Sequence, residues 1–191
     1  MITVGNNEFE QTLGRVAEIL SRAKIPYALT GGYLSILYGD PRSTQDIDIV
    51  VCLSETALES LLPALSKSFL ISEEAARHAV RSGKFFQALD FNSSIKVELH
   101  VVSEMSRELT CAIEQTTHSG SKIYVLTKED AIVAKLRWVK RGSMRSRRDI
   151  KGMLLNSVPF DRKLVLERAG EYGCEDLFPQ IEIEEPVPEV E

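Results

Sequence analysis

Apolar residues recur along this chain with two different spacings, and each spacing predicts a different kind of element. Spacing in steps of three and four, together with caps and turn residues, predicts helices over 7–24, 33–38, 54–67, 127–141, 145–155 and 161–172. Alternation in steps of two, or a short apolar run, predicts strands over 27–30, 46–53, 84–89, 95–102 and 122–126. Helices and strands follow each other along the sequence, and this order predicts a mixed α/β fold.

The second strand carries two acidic residues in an otherwise apolar run. Residues i and i+2 of a strand face the same side, so Asp46 and Asp48 would share one face while Ile47, Ile49 and Val51 point into the core. Neighbouring carboxylates repel each other and are costly to desolvate, so a fold keeps two together mainly when a cation joins them. This strand therefore predicts a metal site.

A third carboxylate is expected where two metal ions support phosphoryl chemistry, and the strand pair 84–89 and 95–102 offers two candidates. The pair flanks the turn-like stretch 90–94 and predicts a hairpin. Glu98 lies in mid-strand on the polar face, whereas Asp90 lies at the turn, where Asp commonly makes local hydrogen bonds. We favour Glu98 over Asp90. His100 follows on the same face and could border the site, although we expect a surface or partly buried histidine.

A phosphate cradle is predicted just before the two aspartates. Gly31 and Gly32 lie between a strand and a helix start, where backbone N–H groups lack partners and can bind an anion. A glycine pair alone is weak evidence, because it is more often a simple turn. Its weight comes from the residues that follow at fixed distance, namely Arg42, Thr44, Asp46 and Asp48.

Charge is distributed unevenly over the 191 residues, whose net charge is −5. The segment 135–151 contains eight basic residues against Asp149 alone, so it carries +7 while the rest of the chain carries −12. Such a basic segment can attract polyphosphate or nucleic acid, although many charged helices are simply solvated. Trp138 lies within it and is expected to pack in the core, with stacking on a base as the alternative.

Bulk properties place the chain among ordinary soluble globular proteins, with 43% hydrophobic and 27% charged residues. Three widely spaced cysteines argue against a disulfide framework, and no apolar run reaches the length of a membrane span. We therefore expect a cytoplasmic protein that does not bind membranes. The acidic, proline-containing end predicts a flexible tail over 176–191, after a core over 1–126 and a helical segment over 127–175.

These motifs resemble the signature of the DNA polymerase β-like nucleotidyltransferase superfamily. The likeness lies in Gly31-Gly32 followed by the stretch GDPRSTQDIDI, which ends in the Asp-x-Asp of Asp46 and Asp48. It implies an α+β nucleotidyltransferase fold, with a central mixed sheet flanked by helices and a C-terminal helical segment that closes the site. It also implies a nucleoside triphosphate bound with Mg²⁺ or Mn²⁺, and a third acidic residue on a later strand, which Glu98 matches in position.

A second block is similar to the later motif of abortive-infection (AbiEii type) toxin-like nucleotidyltransferases. The block comprises the stretch AKLR around Lys135, then Arg141, then RRDI around Arg148 and Asp149. By this likeness Lys135 contacts the triphosphate, and Asp149 orders the basic side chains or takes part in the site. The chain departs from the family pattern at Gly32, where serine is common, and at Glu98, where aspartate is more usual.

The resulting hypothesis is metal-dependent transfer of a nucleoside monophosphate from a triphosphate to an acceptor hydroxyl. Asp46, Asp48 and Glu98 are the predicted metal ligands and catalytic residues. The predicted nucleotide-binding residues are Gly31, Gly32, Arg42, Thr44, Lys135, Arg148 and Asp149. The acceptor would be RNA or tRNA, in a toxin–antitoxin or phage-defence setting with a cognate partner protein. Alternatives are a small-molecule adenylyltransferase of the antibiotic-modifying kind, and a non-catalytic nucleotide-binding or antitoxin-like module.

Overall fold

The computed structural model describes residues 7–40, 44 and 46–183. The strands in this part of the chain are β1 (Tyr27–Leu29), β2 (Asp46–Cys52), β3 (Phe69–Ile71), β4 (Phe85–Asp90), β5 (Lys96–Val102), β6 (Ile113–Thr116) and β7 (Lys122–Val125). The helices are α1 (Asn7–Arg22), α2 (Gly31–Tyr38), α3 (Glu55–Leu65), α4 (Glu73–Ser82), α5 (Arg107–Thr110), α6 (Lys128–Lys140), α7 (Met144–Leu155), α8 (Arg162–Gly170) and α9 (Leu177–Ile183). None of the described helices is both long and apolar enough to cross a membrane.

The seven strands form one mixed sheet in the order β3-β4-β5-β2-β1-β7-β6. β2 runs parallel to β5 and β1 parallel to β7, while the other neighbouring pairs are antiparallel. The predicted hairpin of β4 and β5 is confirmed. The sheet therefore has the mixed architecture that the resemblance implied.

Alternating burial along the central strands places one face of the sheet in the core. Ile47, Ile49, Val97 and Leu99 are fully buried on β2 and β5. The residues between them are only half-buried. Because side chains alternate across a strand, the same pattern that builds the core also places every intervening polar residue on the opposite face.

The described residues divide into two compact units. One, which we call the sheet unit, comprises 7–33, 44 and 46–127 and contains the whole sheet. The other, the helical unit, comprises 34–40 and 128–183 and contains α6 to α9 with most of α2. A buried ion pair between Arg168 and Asp130 joins α8 to α6 in the helical unit, with its two atoms 2.8 Å apart.

Several elements differ from the sequence expectations. β3, α4, α5 and β6 are not predicted, because three are only three or four residues long and α4 is strongly polar, with only Ala76, Ala79 and Val80 buried. α9 occupies residues assigned to the tail, because Phe178 and Ile181 are buried one helical turn apart. Residues 184–191 of that predicted tail lie outside the described residues. The expectation that Trp138 packs in the core is wrong, since its side chain is 54% exposed.

Asp90 at the end of β4 is a buried structural anchor. Its carboxylate accepts hydrogen bonds from the hydroxyls of Thr12 and Ser93 and from the backbone N–H of Asn92, and it pairs with the guanidinium of Arg15. Burial alone would raise the pKa of Asp90, but these hydrogen bonds hold it below its ordinary value. Asp90 thus connects α1 to the hairpin turn.

We expect Asp90→Asn to lower the free energy of unfolding by about 2 kcal/mol at pH 7, because Arg15 loses its charged partner. Asp90 has a lowered pKa in the folded protein, so its stabilisation is present above the unfolded pKa and is lost as pH falls through the folded one. The difference in unfolding free energy between wild type and variant should therefore become smaller below about pH 4. Urea denaturation at several pH values measures this.

Glu59→Gln is the matched control, because Glu59 also pairs with an arginine, Arg77, but both side chains are exposed. Its effect should stay below about 1 kcal/mol. Equal effects of the two substitutions at pH 7 would contradict the anchoring role of Asp90.

Candidate active site

Asp46 and Asp48 lie on the same face of β2, as the alternation of the sequence predicts. Ile47, between the two aspartates, and Ile49, after the second, are fully buried. The side chains of Asp46 and Asp48 are 49% and 22% exposed. The strand therefore presents two carboxylates to solvent from a backbone that the core holds in place.

Glu98 lies directly opposite Asp48 on the neighbouring strand. The parallel register of β2 and β5 pairs Asp48 with Glu98 and Asp46 with Lys96. The Glu98 side chain is 19% exposed, and its Oε1 accepts a hydrogen bond of 3.0 Å from Nε2 of Gln87 on β4. The structure thus brings the three predicted carboxylates to one face of two adjacent strands. The rival candidate, Asp90, is bound within the core instead.

Lys96 supplies a positive charge between two of these carboxylates. Its Nζ lies 3.1 Å from Oδ1 of Asp46 and 3.1 Å from Oε1 of Glu98. These hydrogen bonds, with Glu98 first and Asp46 second, raise the pKa of Lys96 above its ordinary value. Lys96 was not predicted as a site residue, although its position two residues before Glu98 places it on the same face.

His100 completes a group of possible metal ligands that the sequence analysis did not predict. A ligand atom of Asp48, one of Glu98 and one of His100 all lie within 4.8 Å of one another. Among the described residues, no other set of three or more acidic, histidine or cysteine side chains meets this distance. Nε2 of His100 is 3.7 Å from Oδ1 of Asp48 and 3.8 Å from Oε2 of Glu98. The sequence signal for His100 was its position two residues after Glu98, which places both side chains on the same face of the strand.

Gly31 allows the start of α2 to approach the Asp48 carboxylate. Its φ is +63°, and a Cβ at this position would lie 1.9 Å from Oδ2 of Asp48. Any other residue would therefore collide with the carboxylate as well as strain the backbone. The N–H of Gly32 donates to the same Oδ2 at 3.4 Å. The double glycine thus brings a helix N-terminus next to the acidic face.

Two further predicted residues, Arg42 and Thr44, lie between this helix and β2 in the sequence. The hydroxyl of Thr44 donates to the backbone carbonyl of Asp46 at 3.3 Å, which links the approach to β2 with the strand itself. Arg42 lies outside the described residues.

The remaining predicted residues belong to the helical unit. Nζ of Lys135 on α6 donates to Oδ2 of Asp149 on α7 at 2.6 Å, and their side chains are only 11% and 7% exposed. A charge-assisted pair with so little exposure is held firmly in place. Asp149 therefore fixes the position of the Lys135 ammonium within the helical unit.

A cleft of about 420 Å³ lies beside this pair within the helical unit. It is lined by Ser35, Asp40, Arg145, Arg148, Asp149 and Gly152. Two glycines allow the end of α2 and α7 to meet closely: a Cβ at Gly39 would lie 3.1 Å from the backbone nitrogen of Met153, and one at Gly152 would lie 2.6 Å from Oδ2 of Asp40. Arg148 is one of the predicted nucleotide-binding residues, whereas Arg145 is not.

No protein-family model matches the chain, and no curated protein is significantly similar to it in sequence. Solved structures match it in fold. A nucleotidyltransferase-like protein from Paracoccidioides brasiliensis superposes with a TM-score of 0.55 at 19% identity, over 95% of each chain. The antibiotic-resistance factor ANT(2'')-Ia gives a TM-score of 0.56 at 12% identity, over 93% of this chain and 97% of that one.

A third similar structure is MenT4, a nucleotidyltransferase toxin from Mycobacterium tuberculosis. Its TM-score is 0.54 at 14% identity, over 88% of this chain and 66% of that one. At such low identities the similarity concerns the fold. The chain has the nucleotidyltransferase fold, with a central mixed sheet flanked by helices.

Proposed function

We propose that this protein is a metal-dependent nucleotidyltransferase that moves a nucleoside monophosphate from a triphosphate to an acceptor hydroxyl. The observation that carries the proposal is the pairing of Asp48 with Glu98 across parallel strands, directly beside the glycine start of α2. Carboxylates held next to an anion-binding helix N-terminus suit a substrate that combines phosphates with a metal ion.

The residues present fit a divalent cation. Asp48 and Glu98 offer oxygen ligands within 4.8 Å of each other, and both side chains are partly open to solvent. Hard carboxylate oxygens completed by substrate phosphates are the usual environment of Mg²⁺ or Mn²⁺. Asp48 and Glu98 would hold the ion, with Asp46 on the same face. When bound, such an ion neutralises charge on the phosphates and lowers the pKa of the acceptor hydroxyl.

The protein's own groups would position the triphosphate and take up the proton. The N-terminus of α2 would attract the triphosphate through the helix dipole, and Gly31 lets that terminus lie against Asp48. Glu98 would accept the proton of the attacking hydroxyl as the new phosphate ester forms and pyrophosphate leaves. Its hydrogen bonds with Gln87 and Lys96 orient the carboxylate for that role.

RNA is the proposed acceptor, and the basic segment 135–151 supports it. Several of its cations already contact protein groups, among them Lys135 and Lys140 by hydrogen bonds, Arg137 over Tyr172 at 4.3 Å, and Arg141 over Trp138 at 5.1 Å. Arg145 and Arg148 are exposed and line the cleft of the helical unit. We propose that these two arginines bind phosphates, because guanidinium groups match phosphate geometry.

The exposed Trp138 is a further feature that favours nucleic acid. An indole ring that is 54% exposed has a face on which a base can stack, and the nearby Arg141 adds positive charge. The similarity to a toxin and the resemblance of this segment to abortive-infection enzymes extend the proposal to a toxin–antitoxin setting with a cognate partner protein.

A small-molecule acceptor is the second candidate. The observation in its favour is coverage. This chain matches 97% of the chain of ANT(2'')-Ia but 66% of the chain of MenT4. The fold of this chain therefore matches nearly all of an antibiotic-resistance factor but only part of the toxin. ANT(2'')-Ia has also been solved in complex with adenylyl-2''-tobramycin. A non-catalytic nucleotide-binding module is the third candidate, supported by the departures at Gly32 and Glu98.

We expect Asp48→Asn to reduce nucleotidyl transfer about 100-fold or more, because the neutral amide holds a cation weakly. The measurement is label transfer from each of the four α-labelled nucleoside triphosphates, with Mg²⁺ or Mn²⁺, to total RNA or to a panel of aminoglycosides and lincosamides. Label in RNA supports the first candidate, and label in the small molecules supports the second.

Glu114→Gln is the matched control, because Glu114 on β6 is also an exposed, strand-borne carboxylate. It pairs with Lys122 on β7. It should retain wild-type activity. Triphosphate binding by the wild type without transfer to any acceptor would favour the non-catalytic module and contradict the transferase.

We expect RNA affinity to fall steeply with salt, because phosphate contacts release counterions. The double substitution Arg145→Gln with Arg148→Gln should weaken binding. It should also reduce the slope of log K against log salt by about 1.4, since each contact to a single strand contributes about 0.7. Fluorescence anisotropy with labelled single-stranded RNA over a salt series measures both quantities.

Arg22→Gln is the control, because Arg22 is an exposed helical arginine in the sheet unit, far outside segment 135–151 in sequence. It should leave the slope unchanged. Triphosphate binding is measured in the same variants, because Arg148 is also a predicted nucleotide-binding residue. A flat salt response in the wild type would exclude the RNA surface.

A further inference from the structure

The acidic face of β2 and β5 contains an imidazole that a centre built only from carboxylates would not have. His100 lies on β5 two residues after Glu98, so both side chains project from the same face of the strand. The register places His100 beside Val50, one pleat beyond the Asp48–Glu98 pair. Its side chain is 40% exposed, so an ion can reach it from solvent.

The oxygens of the two carboxylates divide into two sets. Oδ2 of Asp48 accepts from the N–H of Gly32, and Oε1 of Glu98 accepts from Gln87 and lies against Lys96. The other oxygens, Oδ1 of Asp48 and Oε2 of Glu98, face Nε2 of His100 at 3.7 and 3.8 Å. Hydrogen bonds on the outer oxygens orient a ligand in the way that supporting residues do in metal sites.

Lys96 and Phe85 limit where a cation can bind. The ammonium of Lys96 already lies between Asp46 and Glu98, so the positive charge required there is present in the protein. The ring of Phe85 packs against His100 with centroids 5.5 Å apart, which restricts the rotation of the imidazole. Both contacts leave the space among Asp48, Glu98 and His100 as the position for an ion.

We propose that His100 is a metal ligand and that the centre formed by Asp48, Glu98 and His100 selects a transition-metal ion such as Mn²⁺ over Mg²⁺. Imidazole is a borderline donor that suits transition metals, whereas Mg²⁺ prefers oxygen ligands and retains its waters. This inference rests on the proposed function and deepens it, because it specifies the ion that the nucleotidyltransferase uses.

The test is electron spin echo spectroscopy of Mn²⁺ bound to the full chain, expressed with ¹⁵N-labelled histidine. Spectra are recorded with Mn²⁺ alone and with Mn²⁺ and a non-hydrolysable ATP analogue, and the isotope label distinguishes imidazole from adenine nitrogen. We expect a ¹⁵N coupling in the wild type that is lost in His100→Ala. His118→Ala is the matched control, because His118 is an exposed histidine that contacts Glu10 instead, and it should retain the coupling.

Competition between Mn²⁺ and Mg²⁺ provides a second measurement. His100→Ala should weaken Mn²⁺ binding about tenfold while Mg²⁺ affinity changes little, so the preference for Mn²⁺ falls by the same factor. His100→Asn is a second variant that retains a polar side chain, and thermal melting verifies that both variants fold.

The outcomes separate this inference from the proposed function. Mn²⁺ that binds without a ¹⁵N coupling, and with equal affinity in His100→Ala, would overturn the role of His100 and leave the nucleotidyltransferase intact. Failure of the wild type to bind Mn²⁺ under either condition would overturn both. A coupling that disappears only in the His100 variants supports the proposed centre.

Discussion

The contact between the Asp48 carboxylate and the start of α2 is the constraint on which the site depends. A carboxylate oxygen occupies the space where a Cβ of residue 31 would lie, so the backbone there requires glycine and a positive φ. The next N–H, from Gly32, turns toward the same oxygen. Strand, turn and helix start are thereby fixed to one another around a single charged group, and the phosphate and metal site that we propose depends on this contact.

Electrostatic repulsion along β2 and β5 sets the second requirement. Three carboxylates on adjacent strands are unfavourable unless positive charge separates them. Lys96 supplies that charge between Asp46 and Glu98, and the imidazole of His100 faces Asp48 and Glu98. A bound ion would complete this balance. The helical unit repeats the principle at lower exposure, where Lys135 and Asp149 form a pair beside the two arginines of its cleft.

The parts of the fold that were predictable are those in which burial follows a regular period. β2 and β5 alternate strictly between buried and half-buried positions, so their faces and the position of Glu98 were evident from sequence. α9 was not, because its two buried residues lie in a strongly acidic stretch whose charge suggests a tail. Trp138 shows the opposite error, since an apolar ring within a helix period is not always covered by another element.

The sequence by itself determined which residues share a face, because alternation and glycine spacing depend only on neighbours along the chain. It therefore placed Asp46 and Asp48 on one face of β2, Glu98 on the polar face of β5, and Gly31 and Gly32 at a helix start. Tertiary structure alone decided the pairing of Asp48 with Glu98 and of Asp46 with Lys96, since strand register is set by packing between distant segments. It also buried Asp90 under Arg15 and brought His100 to the carboxylates, because those contacts arise only when the strands and α1 are assembled.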